Sequence, residues 1–484
     1  MALNICEQLD DLAARRVLIL DGGMGSLIQS WRSPEGRPLE EADYRGSRFA
    51  NHPLPLKGCA DILCLTRPDI ISSIHEAYLE AGADIIETCS LNATAVSLES
   101  FGLGDKAYEI SAAAAALARK AADKFSAPGK PRLVAGSIGP TAKSASITSD
   151  MDTPLNRTVS REELEAAYYD NARGLLDGGA DLILVETIYD ALNAKAAQSA
   201  VNRLNEERHI RVPLIISATV SEGGFLLTGQ DLKAFCTALL PAGLWAVGLN
   251  CSFGADRLKP FLTELAAFAP CPIIAYPNAG LPDREGRYSE SPEIMANHIE
   301  SWLAEGLVNI VGGCCGSTPA HIAAIAKKAV HHTPRKIPPA PEGKLFLSGT
   351  KVLEWNGSLS LEAAGGLRTV GGSEEKFLRA VKKGDYEDAI DAAREEAEGG
   401  ADILLLRIDT APNPEEAVKS LIFLANCFPD MAKLPVCIES AYPKTIEAGL
   451  SCLQGRGAFI YTGNKEEDEA ALKRLVKKYG AWRF

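Results

Sequence analysis

Three cysteines in this chain have the spacing and surroundings of metal ligands. Cys314 and Cys315 are adjacent within the glycine-rich run 312–316, and Cys251 ends the run 248–251. Adjacent cysteines rarely form a disulfide with each other, because the small ring that results strains the peptide. Three thiolates suit zinc, and a zinc ion with three protein ligands keeps a fourth tetrahedral position open for a substrate. The sequence therefore predicts a catalytic zinc site.

The other cysteines, such as Cys64, Cys236 and Cys437, are expected in the core, because free cysteine behaves as a small hydrophobic residue. A disulfide scaffold is not expected in a chain of 484 residues whose first residues lack a secretory-signal pattern. We therefore expect a reduced, cytoplasmic protein.

The composition limits the class of function. With 46% hydrophobic and 23% charged residues, the chain can bury a large core and is expected to form two domains. Its net charge of −13 argues against binding to nucleic acid, and no apolar run is long enough to predict a membrane span. These features favour an enzyme that acts on a small molecule.

Unbroken apolar runs predict strands that are covered on both faces and are therefore parallel. Helical segments such as 107–124, 161–177 and 317–330 separate most of them. Eight such strands alternating with helices predict an α/β fold, a (β/α)8 TIM barrel. A doubly wound sheet is the alternative, but no Gly-x-Gly-x-x-Gly turn supports it. The runs are 17–20, 84–88, 132–136, 181–186, 213–218, 246–250, 272–276 and 307–313.

The predicted strands end in residues that can do chemistry, and in such barrels the active site lies at the carboxyl ends of the strands. All three cysteines should therefore lie on the same rim. Strands six and eight have one strand between them, so their ends can approach one metal ion. The strand-end residues are Asp21, Glu87, Glu186, Asn250 with Cys251, and Cys314 with Cys315.

Several motifs carry a resemblance to a known family. Residues 15–330 closely resemble the homocysteine-binding zinc barrel of cobalamin-dependent methionine synthase, within the homocysteine S-methyltransferase family. The matching stretches are 19–25 (ILDGGMG), 65–69 (LTRPD), 92–94 (NAT), 136–140 (GSIGP), 185–187 (VET), 248–251 (GLNC), 276–280 (YPNAG) and 308–316 (VNIVGGCCG). The resemblance implies that residues 1–332 form a zinc barrel that methylates homocysteine to methionine, with zinc activating the substrate thiol.

The resemblance also implies contacts for the amino acid end of homocysteine. Asp21 and Glu186 would face its ammonium group, and the backbone amides of Gly22 and Gly23 would receive its carboxylate. A helix cap is the alternative role for Asp21, and a salt bridge on the barrel rim is the alternative for Glu186. Asn250 would occupy the open zinc position without substrate or make a hydrogen bond at the strand end.

The second part of the chain is shorter. Residues 333–365 are expected to form a linker that begins with a proline-rich stretch. Residues 366–484 supply about four strand-helix units, at 368–370, 402–406, 434–438 and 457–461, which predicts a smaller α/β half-barrel-like domain. A half-barrel leaves strand edges open, so this domain should pack on the barrel, a partner protein or a second copy in a homo-oligomer.

This second domain resembles a truncated pterin-binding barrel of the same methionine synthase family, but most of the family's ligand positions differ. Folate binding is therefore not expected. The run 366 to 457 carries the resemblance, while the differing positions are Leu367, Leu405, Arg407, Glu439, Ala441 and Ile460, with Asp409 retained.

The methyl donor must come from outside the chain, because no segment resembles a cobalamin-binding domain and the Asp-x-His-x-x-Gly signature is absent. The resemblance implies methylcobalamin supplied in trans by a separate corrinoid protein. Two alternatives remain open: S-methylmethionine as the donor, and a non-catalytic assembly subunit of a split methionine synthase.

Overall fold

The computed structural model describes residues 4–148, 155–340, 343–355, 369–371, 375–397 and 400–484. The strands of its larger sheet are β1 (Leu18–Ile19), β2 (Ile85–Glu87), β3 (Leu133–Ile138), β4 (Leu182–Ile188), β5 (Leu214–Ala218), β6 (Ala246–Gly254), β7 (Ile273–Asn278) and β8 (Ile310–Val311). Neighbouring strands are parallel and follow the order β1-β8-β7-β6-β5-β4-β3-β2. A bridge between Leu20 and Ile85 brings β1 beside β2. The predicted (β/α)8 barrel is confirmed, and the doubly wound alternative is wrong.

Helices surround this barrel, and several begin at a side-chain cap. Ser160 and Glu163 form a capping box at the start of the helix Arg161–Asp177, and Asp190 caps the helix Ala191–Arg208. The helices are α1 (Ile5–Arg15), α2 (Met24–Ser30), α3 (Glu41–Arg45), α4 (Leu63–Thr66), α5 (Pro68–Glu80), α6 (Ala95–Leu98), α7 (Ala107–Phe125), α8 (Arg161–Asp177), α9 (Ala191–Arg208), α10 (Leu232–Leu239), α11 (Ala255–Phe268), α12 (Pro292–Ala304) and α13 (Pro319–Ala329). Short 3₁₀ helices cover Ala60–Ile62, Glu99–Phe101, Gly104–Lys106 and Leu240–Ala242.

The alternation of side chains along each strand separates two cores. In β2, Ile85 belongs to the core inside the barrel, whereas Ile86 packs in the core between strands and helices. The same alternation places Leu182 and Leu184 of β4 inside the barrel. Continuing this period of two towards the carboxyl ends of the strands directs Glu87 and Glu186 into the mouth of the barrel. The interior of the barrel is therefore apolar, but its mouth, where the cysteines lie, is lined by polar side chains.

The expected linker contains structure that the sequence analysis did not predict. An antiparallel hairpin is formed by β9 (Leu345–Ser348) and β10 (Val352–Trp355). Leu345 and Leu347 of this hairpin pack with Leu405 and Cys437 of the second domain. The range 333–365 is therefore more than a spacer, because part of it belongs to the core of the second domain.

Among the residues that the structure describes, the second sheet has five parallel strands, one more than predicted. They are β11 (Thr369–Val370), β12 (Ile403–Arg407), β13 (Val436–Ser440), β14 (Ala458–Tyr461) and β15 (Trp482–Arg483), which pair in sequence order. The accompanying helices are α14 (Glu375–Lys383), α15 (Tyr386–Ala397), α16 (Pro414–Asn426), α17 (Pro429–Ala432), α18 (Pro443–Leu450) and α19 (Lys465–Tyr479). The predicted positions 366–368, 372–373 and 399 lie outside the described residues.

The two faces of this second sheet are covered differently. Leu404 and Leu406 of β12 belong to the core shared with the helices, whereas Ile403 and Leu405 belong to the core shared with the hairpin. The face that a complete barrel would enclose is therefore filled by apolar side chains of the hairpin. This explains how an incomplete barrel can bury both faces of its sheet.

The hairpin also joins the second domain to the barrel. The carbonyl of Thr350 accepts a hydrogen bond from the amide of Asp231, which caps α10. Nε2 of Gln230 donates to the carbonyl of Gly349 at 3.1 Å.

Within the described residues, no helix combines the length and the apolar composition needed to cross a bilayer.

Candidate active site

The three predicted metal-binding cysteines meet at one end of the barrel. Sγ of Cys251 lies 3.3 Å from Sγ of Cys314 and 3.7 Å from Sγ of Cys315. All three sulfur atoms lie within 4.8 Å of one another, and no other group of His, Cys, Asp or Glu among the described residues is clustered in this way. Sulfur ligands on a tetrahedral zinc ion, with bonds of about 2.3 Å, are separated by about 3.8 Å. The donor set therefore fits a zinc ion with one position left for another ligand.

Cys251 owes its position to an unusual backbone. Cys251, Ser252 and Thr187 are non-glycine residues in the left-handed region, with φ of 53°, 58° and 57°. Oγ of Ser252 donates to the carbonyl of Asn250 at 3.1 Å and accepts the amide of Val220 at 2.9 Å, which supports the turn. Such conformations cost free energy and tend to occur at functional sites. Two strands of the barrel thus leave regular geometry where the site lies.

The loop that carries the other two cysteines is fixed by β7 and by its own next turn. The amide of Cys314 donates to the carbonyl of Pro277 at 2.7 Å, and the amide of Cys315 donates to Oδ1 of Asn278 at 3.2 Å. Oγ of Ser317 donates to the carbonyl of Cys314 at 2.6 Å. These bonds hold two adjacent residues so that both thiols reach the same point.

The thiols differ in acidity because of their mutual hydrogen bonds. Hydrogen bonds from Cys251 and Cys314 lower the pKa of Cys315 to about 3. The corresponding bonds, together with burial, raise the pKa of Cys314 well above its usual range. The lowered pKa of Cys315 favours its thiolate, the form of cysteine that binds metal ions.

Asp21 and Glu186 are buried in the same mouth, with exposed fractions of 1% and 5%. Oδ2 of Asp21 accepts the amide of Glu87 at 3.0 Å, but its Oδ1 is buried without a hydrogen-bond partner among the described residues. Because α2 begins after Gly23 without a side-chain cap, Asp21 is not a helix cap. Oε1 of Glu186 accepts a hydrogen bond from Oγ of Ser137 at 2.5 Å.

The electrostatics of these two carboxyl groups favour a cationic ligand. Burial raises the pKa of Glu186 to about 7. Burial, followed by the charge of Glu186, raises the pKa of Asp21 well above its usual range. Within the described ranges, neither carboxyl group forms an ion pair with a lysine, arginine or histidine. A positively charged group entering the mouth would therefore relieve an unfavourable burial of negative charge.

Gly22 and Gly23 pack the first loop against the cysteine loop. The amide of Gly23 donates to Oγ of Ser317 at 3.1 Å, so it is not left free for a substrate carboxylate as the sequence analysis expected. A Cβ on Gly23 would lie 2.7 Å from the carbonyl oxygen of Cys314, and one on Gly22 would lie 2.8 Å from Oγ of Ser317. Both glycines are therefore needed for loop packing, whatever contact Gly22 makes with substrate.

Asn250 is oriented by hydrogen bonds and does not direct its amide oxygen at the thiols. Its Oδ1 accepts Oγ of Ser217 at 2.7 Å and the amide of Thr187 at 3.0 Å. Its Nδ2 donates to Oγ1 of Thr187 at 2.7 Å and lies 4.0 Å from Sγ of Cys314. The structure thus has the strand-end hydrogen bonds that were the alternative to metal binding.

Several residues of the site were not singled out from the sequence. Ser137, Ser217 and Asn278 each lie at the carboxyl end of a barrel strand and hydrogen-bond Glu186, Asn250 and Cys315, respectively. The signal was a polar residue that ends an otherwise apolar run. Applying that rule to every strand, and not only to those ending in Asp, Glu or Cys, would have found them.

The corresponding end of the second sheet has no free carboxylate at Asp409. Its Oδ1 accepts Oγ of Ser440 at 2.5 Å, and its Oδ2 accepts the amide of Ala441 at 2.8 Å. Arg407 and Glu439, at two of the altered ligand positions, form an ion pair at 2.9 Å. These side chains therefore bind one another across the ends of β12 and β13.

The barrel that carries this site matches a known protein family. Residues 18–329 match the family described as homocysteine S-methyltransferase, and this segment contains all the barrel strands and the cysteine cluster. The oxidized form of the homocysteine methyltransferase MmuM from Escherichia coli is 25% identical, with a TM-score of 0.50, and the similarity covers 67% of this chain and 100% of MmuM. The metallated form of MmuM is 26% identical, with a TM-score of 0.49 and the same coverage.

Proposed function

The chain belongs to the homocysteine S-methyltransferase family, and we propose that it transfers a methyl group to the sulfur of homocysteine, forming methionine. The single observation that carries the proposal is the convergence of Cys251, Cys314 and Cys315 beside buried, unpaired carboxyl groups. A sulfur-binding centre and buried carboxyl groups at the same end of the barrel suit a substrate with a thiol at one end and an ammonium group at the other.

Cys251, Cys314 and Cys315 would hold the zinc ion. When bound, zinc lowers the pKa of a coordinated thiol, so homocysteine would be present as its nucleophilic thiolate at neutral pH. The N–H of Asn250 that faces Cys314 would help to stabilise negative charge on that sulfur.

Asp21 and Glu186 would bind and orient the amino acid end of the substrate. The unpaired Oδ1 of Asp21 can accept an N–H of the ammonium group, while Ser137 holds Glu186 in place. Gly22 lies next to Asp21 and is the proposed backbone contact for the substrate carboxylate. Fixing both ends of a short substrate sets the direction of its thiol and reduces the entropy lost in reaching the transition state.

The reaction would be a direct displacement. The homocysteine thiolate attacks the methyl carbon of the donor, a sulfur–carbon bond forms, and the bond between the methyl group and the donor breaks. The electron pair of that bond leaves with the donor. The proton of the substrate thiol is lost to solvent before the attack, so no general base is required during methyl transfer.

For the methyl donor, we propose methylcobalamin carried by a separate corrinoid protein in the cytoplasm. The similarity of the barrel motifs to the cobalamin-dependent branch of the family supports this donor, and Asp409 of the second domain, with both oxygens paired, offers little to a folate. The second domain would then serve assembly, with a partner or as part of a homo-oligomer.

The test is a methyl-transfer assay with the purified, zinc-loaded full chain, homocysteine and an isotopically labelled methyl donor. Four donors are compared: methylcobalamin, a methylated corrinoid protein, S-methylmethionine and methyltetrahydrofolate. Labelled methionine formed fastest from the corrinoid protein would support the whole proposal. Methionine formed only from S-methylmethionine would overturn the donor, and no methionine from any donor would overturn the function.

A further inference from the structure

Glu87 is a third carboxylate in the mouth of the barrel. It ends β2 and lies beside Asp21 across the seam where Leu20 and Ile85 close the barrel. Its amide donates to Oδ2 of Asp21 at 3.0 Å, so the backbone of one acidic residue is bound directly to the side chain of the other. The two residues therefore lie side by side at the same depth.

Glu87 is also close to Glu186 on the far side of β3. Oγ of Ser137, in β3, donates to Oε1 of Glu186, and the amide of Ser137 donates to Oγ1 of Thr88, the residue after Glu87, at 2.9 Å. Burial, followed by the charges of Glu186 and Asp21, raises the pKa of Glu87 well above its usual range. Glu87 thus lies between the two carboxyl groups already assigned to the substrate ammonium.

The side chain of Glu87 has an unsatisfied oxygen. Glu87 keeps some exposure to the mouth, yet its Oε1 is buried without a hydrogen-bond partner among the described residues, as is Oδ1 of Asp21. No cationic side chain in the described parts of the chain pairs with Glu87. A buried carboxylate oxygen without a hydrogen-bond partner costs free energy, so the donor that pairs with it should belong to the ligand.

We propose that Glu87 is a third contact for the substrate ammonium and determines the preference for thiols that carry an amino group. An ammonium group has three N–H donors, which matches one acceptor on each of Asp21, Glu87 and Glu186. A thiol without this group would leave Oδ1 of Asp21 and Oε1 of Glu87 without a donor and all three carboxyl groups without a cation, and sites of this kind reject such analogues strongly. This inference rests on the proposed function, because it assigns one residue to a subsite of the same reaction.

The experiment compares homocysteine with 4-mercaptobutanoate, which has the same thiol, chain length and carboxylate but lacks the amino group. Zinc-loaded wild-type protein and Glu87→Gln are assayed for kcat/KM with both thiols, and binding is measured by calorimetry without a methyl donor. In Glu87→Gln, we expect weaker binding and a higher KM for homocysteine, by on the order of ten- to a hundredfold. The kcat and the zinc content should change little, and 4-mercaptobutanoate should bind as well as before or better.

Asp61→Asn is the matched control, because Asp61 is a buried acid whose Oδ1 accepts the amide of Asn92 and whose charge is not among those that raise the pKa of Asp21, Glu87 or Glu186. Its preference for homocysteine over the analogue should remain that of the wild type. Glu87→Asp, which keeps the charge, should retain part of that preference and guards against a simple folding defect. An unchanged preference in a folded Glu87→Gln would overturn the inference, whereas a wild-type protein that forms no methionine would instead overturn the proposed function.

Discussion

Nζ of Lys195, in the barrel helix α9, donates a hydrogen bond to the carbonyl of Leu453 in the second domain at 2.9 Å. The same ammonium group also donates to the carbonyl of Gly455. Lys195 is only 6% exposed, so these contacts lie within the interface between the two domains. A buried lysine that binds carbonyl groups of another domain ties the two domains together.

Replacing Lys195 with methionine should weaken this interface. The variant keeps the length of the side chain but leaves two buried carbonyl groups without a donor, which costs about 1–3 kcal/mol. We expect a lower denaturation midpoint and faster proteolysis of the second domain, with zinc content unchanged. Lys233→Met, at an exposed position on α10, is the control and should behave as the wild type. Equal stability of the two variants would mean that Lys195 does not hold the domains together.

The sequence was sufficient to predict the architecture of the barrel, but not the packing of the hairpin on the second domain. The apolar runs overlap all eight strands, because strands covered on both faces must be apolar along their length. The cysteine site could also be predicted, because Cys251, Cys314 and Cys315 end strands that a barrel brings together. The β9–β10 hairpin was missed, because its short strands gain their stability from packing on Leu405 and Cys437, which sequence patterns do not reveal.

Glu186→Gln should make the ligand-free protein more stable at high pH. The pKa of Glu186 is raised by burial from 4.5 to about 7, so the folded protein binds more protons than the unfolded chain between these values. The free energy of unfolding of the wild type therefore falls as pH rises through this window and stays low above it. The variant lacks this loss and should be more stable than the wild type by about 1–3 kcal/mol above the window.

Denaturant unfolding of the wild type and Glu186→Gln, below and above this pH window, tests the expectation. The variant should also show a higher KM for homocysteine, because it has lost a charge that faces the ammonium group, while its zinc content stays unchanged. A stability difference that does not depend on pH, together with unchanged homocysteine kinetics, would assign Glu186 a purely structural role.

The full chain should show no saturable binding of methyltetrahydrofolate. Both oxygens of Asp409 are taken by Ser440 and Ala441, and Leu345 and Leu347 cover part of the sheet face that a complete barrel would enclose. Calorimetric titration of the intact protein is the measurement, with Asp409→Ala as the comparison. Saturable binding in the micromolar range that is abolished in Asp409→Ala would show that the second domain is a working pterin site.

Methyl transfer by this chain should depend on the cysteine cluster. Zinc content and labelled methionine are measured together for the wild type, Cys314→Ala and Cys271→Ala, the last being a buried thiol outside the cluster. We expect about one zinc ion per chain and full activity in the wild type and Cys271→Ala, and loss of both in Cys314→Ala, because one of three thiolate ligands is removed. Full activity in a zinc-free Cys314→Ala protein would contradict the proposed role of the cysteine cluster.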